Sequence, residues 1–174
     1  MTHGARSALS GACAVAAAIS AAVEGYGKRE LFEFAMKAAR LGESFGNNDE
    51  RPQADRILIG MSFVDSYKGS QLPKDLRRVL NPGFQAYEGG PYALSLAYGI
   101  DSAEKVILGA VNQGGDADSI ASMAGSIVAA LYPDTLPQEW VKEVEDVNGL
   151  NLREIASKLV QLRISMPDFG ESYL

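Results

Sequence analysis

The sequence predicts an all-α protein, and three features of its 174 residues point to this fold class. Apolar residues recur at spacings of three and four along most of the chain, which is the periodicity of amphipathic helices. No run rich in Val, Ile and Thr alternates with polar residues between hairpin signals. Clusters of Gly, Pro and Asn divide the chain into segments of helical length. A chain of this length is most simply one domain, so we predict a single domain over residues 1–174.

The first half of the chain is expected to form four helices. Gly25 and Gly27 end the first, Pro52 suits the start of the third, and Asn81-Pro82-Gly83 ends the fourth. The predicted helices of this half cover residues 5–24, 30–44, 52–68 and 74–80.

The second half begins with a glycine-rich segment at residues 84–91 (FQAYEGGP), which we predict to be irregular. Pro91 can open the next helix, because proline is favoured at the first helical position. Asp101 or Ser102 caps a later helix, and Pro133 ends another. The predicted helices of this half cover residues 92–98, 103–112, 120–131, 137–147 and 152–164.

Composition argues against several classes of partner. Sixteen Lys and Arg stand against twenty-two Asp and Glu, a net charge of −6, and no basic cluster interrupts this balance. Nucleic-acid binding depends on Lys and Arg that neutralise phosphates, so no nucleic-acid partner is expected. The one cysteine, Cys13, excludes an internal disulfide framework. This fits a reducing compartment, and we expect a cytoplasmic protein.

Residues 7–23 form an uncharged stretch after Arg6, in the position of a signal peptide. Most of its apolar residues are alanine, which gains little free energy on leaving water, and Gly11 and several serines dilute it further. No other segment approaches the ~20 apolar residues of a membrane span. We therefore expect an Ala-rich helix packed against neighbouring helices, and no membrane partner.

The segment Gly114–Ser119 (GGDADS) holds the residues with the clearest chemistry. The carboxylates of Asp116 and Asp118, two residues apart, would repel each other unless a cation neutralised them. Carboxylate and hydroxyl oxygens, the latter from Ser119, are ligands of hard divalent ions such as Mg²⁺, Mn²⁺ or Ca²⁺. The two glycines allow positive φ and a close approach to a ligand. The helix that follows offers its N-terminus to a phosphate.

A helix cap is the alternative explanation of this segment, because helix starts prefer Asp, Ser and Gly. One cap needs one such residue, whereas the segment supplies three side-chain oxygens. A helix-loop-helix calcium loop would need further oxygen ligands, and residues 120–123 (IASM) follow instead. Metal binding is therefore the favoured hypothesis.

Two other polar residues are candidates for a site. Glu88 lies beside two glycines and could act as a general acid or base, although a solvated loop glutamate is the simpler explanation. His3 is the only histidine, so any Ser-His-Asp or Cys-His system would have to use it.

Four segments of the chain resemble the ADP-ribosylglycohydrolase family. Thr2-His3-Gly4 before the Ala-rich helix resembles a Thr-His segment of that family, and residues 88–97 (EGGPYALSLA) resemble a stretch that precedes one of its helices. Residues 111–130 (VNQGGDADSIASMAGSIVAA) resemble its late metal motif, and residues 136–140 (LPQEW) resemble the Ile-Pro-x-x-Trp that follows. The four segments occur in the family's order and span nearly the whole chain.

The resemblance implies a compact, orthogonal all-α domain with a binuclear Mg²⁺ or Mn²⁺ site that binds ADP-ribose. It also implies hydrolysis of the glycosidic bond between ADP-ribose and a protein side chain, or of a related ADP-ribosyl compound. By position, Asp116, Asp118 and Ser119 match the late metal ligands, with serine where the family usually has threonine, and the two aspartates are the expected catalytic residues. The residues expected to contact the substrate are His3, Glu88, Gly114 and Gly115.

Full-length members of the family carry two further motifs before the Thr-His segment, Gly-Asp…Gly…Glu and Thr-Asp-Asp-Thr, and neither occurs in this sequence. These motifs provide the other metal ligands, so the chain is expected to hold only the late half of the site. Apolar faces that the missing helices would cover should find a second chain or self-associate. Two alternatives to this enzyme stay open. One is a truncated non-catalytic relative with a structural, ligand-binding or interaction role, and the other is a hydrolase of a different N-glycoside.

Overall fold

A computed structural model describes residues 4–47 and 52–165 of the chain. Its helices are α1 (Arg6–Val23), α2 (Lys28–Phe45), α3 (Gln53–Ser66), α4 (Leu72–Leu76), α5 (Ala86–Gly99), α6 (Ala103–Val111), α7 (Ala117–Leu131), α8 (Gln138–Asn148) and α9 (Leu152–Ser165). A short 3-10 turn, Pro133–Thr135, follows α7. The described residues contain no β-strand, and their one isolated bridge joins Ala5 and Asn47. The all-α prediction is confirmed.

The helices group into two units, Met1–Leu136 and Pro137–Leu174. Within the first unit the most extensive helix pairs are α1 with α2, α6 with α7, and α3 with α5. Within the second unit α8 ends at Gly149, whose φ is +62°, and the Leu152 N–H donates to the Glu145 carboxylate at 2.6 Å. The expectation of one domain over residues 1–174 stays a prediction.

Helices α1 and α2 pack closely because small residues line their contact. A Cβ atom added at Gly42 would lie 2.6 Å from the Leu9 carbonyl oxygen, so only glycine permits this approach. Alanines on both helices are fully buried, among them Ala14, Ala18 and Ala35. By length and composition α1 alone among the described helices could cross a membrane, a test that a core helix also passes. Its packing against α2 agrees with the packed Ala-rich helix expected from the sequence.

The glycine-rich segment at residues 84–91, predicted to be irregular, is largely helical instead. Helix α5 begins at Ala86, so Pro91 lies inside it. Proline has no N–H for the carbonyl four residues earlier. The Arg56 Nε of α3 donates a hydrogen bond to that carbonyl oxygen, of Tyr87, at 2.7 Å. A donor from a neighbouring helix thus replaces the N–H that proline lacks, and the helix continues through it.

Helix α5 runs through the core of the first unit. Every residue from Gly89 to Ala97 is buried, and Tyr92, Leu94 and Leu96 are fully buried. The Tyr92 hydroxyl donates to the Pro73 carbonyl oxygen at 2.5 Å. Burial raises the pKa of Tyr92 well above its ordinary value, because the phenolate would lose its hydration.

Candidate functional site

The Gly114–Ser119 turn joins α6 to α7, and its backbone needs both glycines. Gly114 has φ +69° and Gly115 has φ +74°, in the left-handed region that favours glycine. Helix α7 begins at Ala117, three residues earlier than predicted, so Asp116 occupies its N-cap position. The sequence prediction that these glycines adopt positive φ is therefore confirmed.

The turn contacts the loop before α5. The Asp116 N–H donates to the Pro82 carbonyl oxygen at 2.9 Å. A Cβ atom added at Gly115 would overlap that same oxygen, whereas one added at Gly114 would meet no atom of the described residues within 4 Å. On the other flank, the Arg77 Nη1 donates to the Gln113 carbonyl oxygen at 2.6 Å. Hydrogen bonds with residues outside α6 and α7 therefore hold the backbone just before the turn, at Gln113, and in its middle, at Asp116.

Three side-chain oxygen groups lie within the first turn of α7. Asp116 is half-buried, while Asp118 and Ser119 are exposed. The Asp116 side chain makes no cap hydrogen bond. Its Oδ1 instead accepts a hydrogen bond from the Ser119 hydroxyl at 3.0 Å. The simple alternative, in which the Asp116 carboxylate serves as the cap of α7, therefore does not describe this turn.

A groove of about 530 Å³ opens beside Asp116. Its wall is almost entirely apolar and includes one face of α1, the start of α5, and Met123 of α7. The amide of Gln53 lines the groove, is fully buried, and has no hydrogen-bond partner among the described residues. On α1 the lining residues are Ala8, Gly11, Ala12, Val15, Ala16 and Ile19.

The predicted site residues are only partly brought together. Asp116, Asp118 and Ser119 share the turn with its two glycines. Glu88 contacts the Asn81–Gly83 loop, and the turn contacts the same loop through Pro82. His3 lies outside the described residues. Among residues 4–47 and 52–165, no group of three or more His, Cys, Asp and Glu side chains could hold a metal ion. Metal binding therefore stays a prediction.

Sequence reasoning missed the residues that support the turn. The sequence predicts Asn81-Pro82-Gly83 only as the end of a helix, and it does not single out Gln53. A local pattern contains no signal that a carbonyl at residue 82 will accept the amide of residue 116. Charged residues flank Gln53 in the sequence (RPQADR, residues 51–56), so no local signal indicates that it is buried.

Comparisons with known proteins extend along nearly the whole chain. The model of the family described as ADP-ribosylglycohydrolase matches residues 1–168. An uncharacterized protein of Archaeoglobus fulgidus is 28% identical over 164 residues, which cover 94% of this chain and 49% of that protein. The human protein named ADP-ribosylhydrolase ARH3 is 24% identical over 172 residues, covering 83% of this chain and 46% of its own length. The uncharacterized protein YegU of Escherichia coli is 26% identical over 166 residues, covering 93% and 50%.

The chain thus spans about half the length of the curated relatives it matches. No solved structure matches it. The family match extends from the first residue through the Gly114–Ser119 turn to α9, and the helical fold agrees with it. The chain belongs to the ADP-ribosylglycohydrolase family.

Proposed function

We propose that this chain forms part of a hydrolase. The enzyme would cleave the glycosidic bond between ADP-ribose and a protein side chain, or the equivalent bond of a related ADP-ribosyl compound. Family membership supports hydrolysis of this type, and the human relative is named an ADP-ribosylhydrolase. The observation that carries the proposal is the Gly114–Ser119 turn, where two carboxylates and a hydroxyl lie at the start of α7. A helix cap would need only one of these groups.

The oxygen groups of the turn fit part of a hard-cation site. Carboxylate and hydroxyl oxygens suit Mg²⁺ or Mn²⁺, and Asp118 and Ser119 are exposed to a ligand. Three such groups leave the octahedral shell of Mg²⁺ incomplete. We therefore propose that Asp116, Asp118 and Ser119 hold one side of a two-ion site, and that the remaining ligands come from outside the described residues.

When bound, the divalent ions would orient the ribose hydroxyls and lower the pKa of a water for attack at the anomeric carbon. The residues of this chain would bind the substrate and orient it. The N-terminus of α7 presents free N–H groups and the positive end of the helix dipole, which favour the diphosphate of the substrate. Gly114 and Gly115 let the substrate approach the backbone without a Cβ atom in between. His3 is proposed to contact the substrate from the start of the chain.

Calorimetric titration of ADP-ribose into the protein, with and without Mn²⁺, tests this proposal. We expect binding that depends on Mn²⁺, and we expect Asp118→Asn to abolish it, because the substitution removes a negative ligand. Asp134→Asn is the matched control, since Asp134 is also exposed and lies in the turn after the other end of α7. Unchanged binding in Asp118→Asn, or equal loss in both variants, would contradict a role of the turn as ligand.

A non-catalytic relative that binds a ligand or a partner is the second candidate. One observation favours it: among residues 4–47 and 52–165, no group of three or more His, Cys, Asp and Glu side chains could hold a metal ion. The two candidates differ in the release of ADP-ribose from an ADP-ribosylated protein. Mn²⁺-dependent binding of ADP-ribose without release would select the non-catalytic candidate.

We also propose that a second chain or a second copy covers the groove along α1. This helix has no charged residue between Arg6 and Glu24, yet Ala12 and Ala16 in the groove are exposed. A helix that is uncharged all round is normally buried. Native mass spectrometry of the purified protein should find a co-purifying chain or a homo-oligomer. A well-behaved monomer with full activity would contradict this proposal.

A further inference from the structure

The carboxylate of Glu88 contacts the Asn81–Gly83 loop, a contact that the sequence does not predict. It is half-buried in the first turn of α5. The Asn81 Nδ2 donates to its Oε1 at 3.0 Å. A Cβ atom added at Gly83 would overlap its Oε2, so the carboxylate packs directly on the backbone of the loop. Both carboxylate oxygens of Glu88 thus have neighbours in the Asn81–Gly83 loop.

The same loop contacts the candidate metal-binding turn through its middle residue. Pro82 is buried, and its carbonyl oxygen accepts the hydrogen bond from the Asp116 N–H at 2.9 Å. That oxygen also occupies the space where a side chain at Gly115 would lie. A shift of the loop would therefore move the amide of Asp116 or break its hydrogen bond.

The start of α5 also lies close to the loop. A Cβ atom added at Gly89 would lie 3.0 Å from the Gly83 carbonyl oxygen. The loop thus contacts both α5 and the turn, and the Glu88 carboxylate contacts Asn81 at one end of the loop and Gly83 at the other.

We propose that Glu88 is a positioning residue, which fixes the Asn81–Gly83 loop and through it the backbone of Asp116. This differs from the direct substrate contact or acid–base role considered from the sequence. Preorganised ligands bind a metal more tightly, because less conformational freedom is lost on binding. The consequence for metal affinity rests on the proposed function, whereas the positioning of Asp116 does not.

Hydrogen exchange of backbone amides, followed by NMR, tests the positioning without any metal. In Glu88→Ala we expect exchange at the Asp116 amide to rise about fivefold, the factor that corresponds to one typical hydrogen bond. The Tyr132 amide, which donates to Val128 at the far end of α7, should be unchanged. Glu88→Gln should restore the wild-type rate, because its amide oxygen still accepts from Asn81.

Two variants make the result specific. Asn81→Ala removes the other side of the hydrogen bond and should reproduce Glu88→Ala, with no further increase in the double variant. Glu104→Ala is the matched control, since Glu104 is also an acid in the first turn of its helix, α6. Unchanged exchange at Asp116 in Glu88→Ala and Asn81→Ala would overturn the proposal. So would an equal rise in Glu104→Ala or the failure of Glu88→Gln to restore protection.

Mn²⁺ titration of the same variants then measures the consequence for the site. We expect the dissociation constant to rise about fivefold in Glu88→Ala and to stay near wild type in Glu88→Gln and Glu104→Ala. If the wild type binds no Mn²⁺ even with any co-purifying partner present, while exchange at Asp116 responds as expected, the proposed function fails and the positioning role stands. If the wild type binds Mn²⁺ normally but exchange at Asp116 does not respond to the substitutions, the positioning role fails and the proposed function stands.

Discussion

Replacing Gly115 by alanine should destabilise the protein far more than replacing Gly114, although their backbones are nearly alike. Their φ values are +74° and +69°. An L-residue in this conformation costs roughly 1–2 kcal/mol, and both substitutions share that cost. Any difference between the two variants must therefore come from the surroundings of the added Cβ atom.

The surroundings differ sharply. At Gly114 the Cβ atom would meet no described atom within 4 Å, whereas at Gly115 it would overlap the Pro82 carbonyl oxygen. The turn would have to shift, losing the Asp116 hydrogen bond at about 1 kcal/mol and crowding the loop at about 1–3 kcal/mol. We expect the free energy of unfolding to fall by roughly 1–2 kcal/mol in Gly114→Ala and by about 3 kcal/mol or more in Gly115→Ala.

Urea unfolding followed by far-UV circular dichroism measures both variants against the wild type. Gly25→Ala is a remote reference, since Gly25 has φ +84° and its added Cβ atom would also meet nothing within 4 Å of the described residues. It should behave like Gly114→Ala. Equal unfolding midpoints for Gly114→Ala and Gly115→Ala would refute the close contact between the turn and Pro82.

Two further predictions concern the core. Gln53→Met should raise the free energy of unfolding by about 1 kcal/mol in urea titration, because a buried amide without a partner among the described residues is removed. Gln71→Met, at an exposed position, should change it little. Above pH 10.0, the ordinary pKa of tyrosine, the wild type should lose stability faster than Tyr92→Phe. The reason is that only the unfolded chain releases the Tyr92 proton there, and urea midpoints at pH 8 and pH 11 would test it.

The fold class follows from the sequence because helical periodicity is a local property. Residues 30–44 and 152–164 show it clearly, and both lie in helices close to the predicted limits. The start of α5 could not be predicted in the same way. Gly89, Gly90 and Pro91 are poor helix formers by themselves. The helix continues through Pro91 because Arg56 supplies the missing donor. At the two glycines, neighbouring atoms of Gly83 and Gln53 occupy the space that a side chain would need. Those contacts come from α3 and from the loop before α5, so the residues of α5 alone do not predict them.

The candidate site shows the same division between local and long-range information. The positive φ of Gly114 and Gly115 and the helix that begins after them follow from local residue preferences. The hydrogen bond between Asp116 and Pro82 joins residues that lie 34 positions apart in the sequence. No local pattern encodes such a contact. The sequence therefore predicts the candidate oxygen ligands, while finding the residues that position them required the structure.

The groove along α1 and the turn are best considered together, because Asp116 belongs to both. A partner that covers the apolar face of α1 would end beside the one half-buried carboxylate of the turn. If that partner supplies the missing oxygen ligands, metal binding and partner binding share a single coupling free energy and must strengthen each other by the same factor. Weak metal binding by the isolated chain would then agree with the enzymatic proposal. In the assembled complex, either persistently weak metal binding or Mn²⁺-dependent binding of ADP-ribose without its release would favour the non-catalytic candidate.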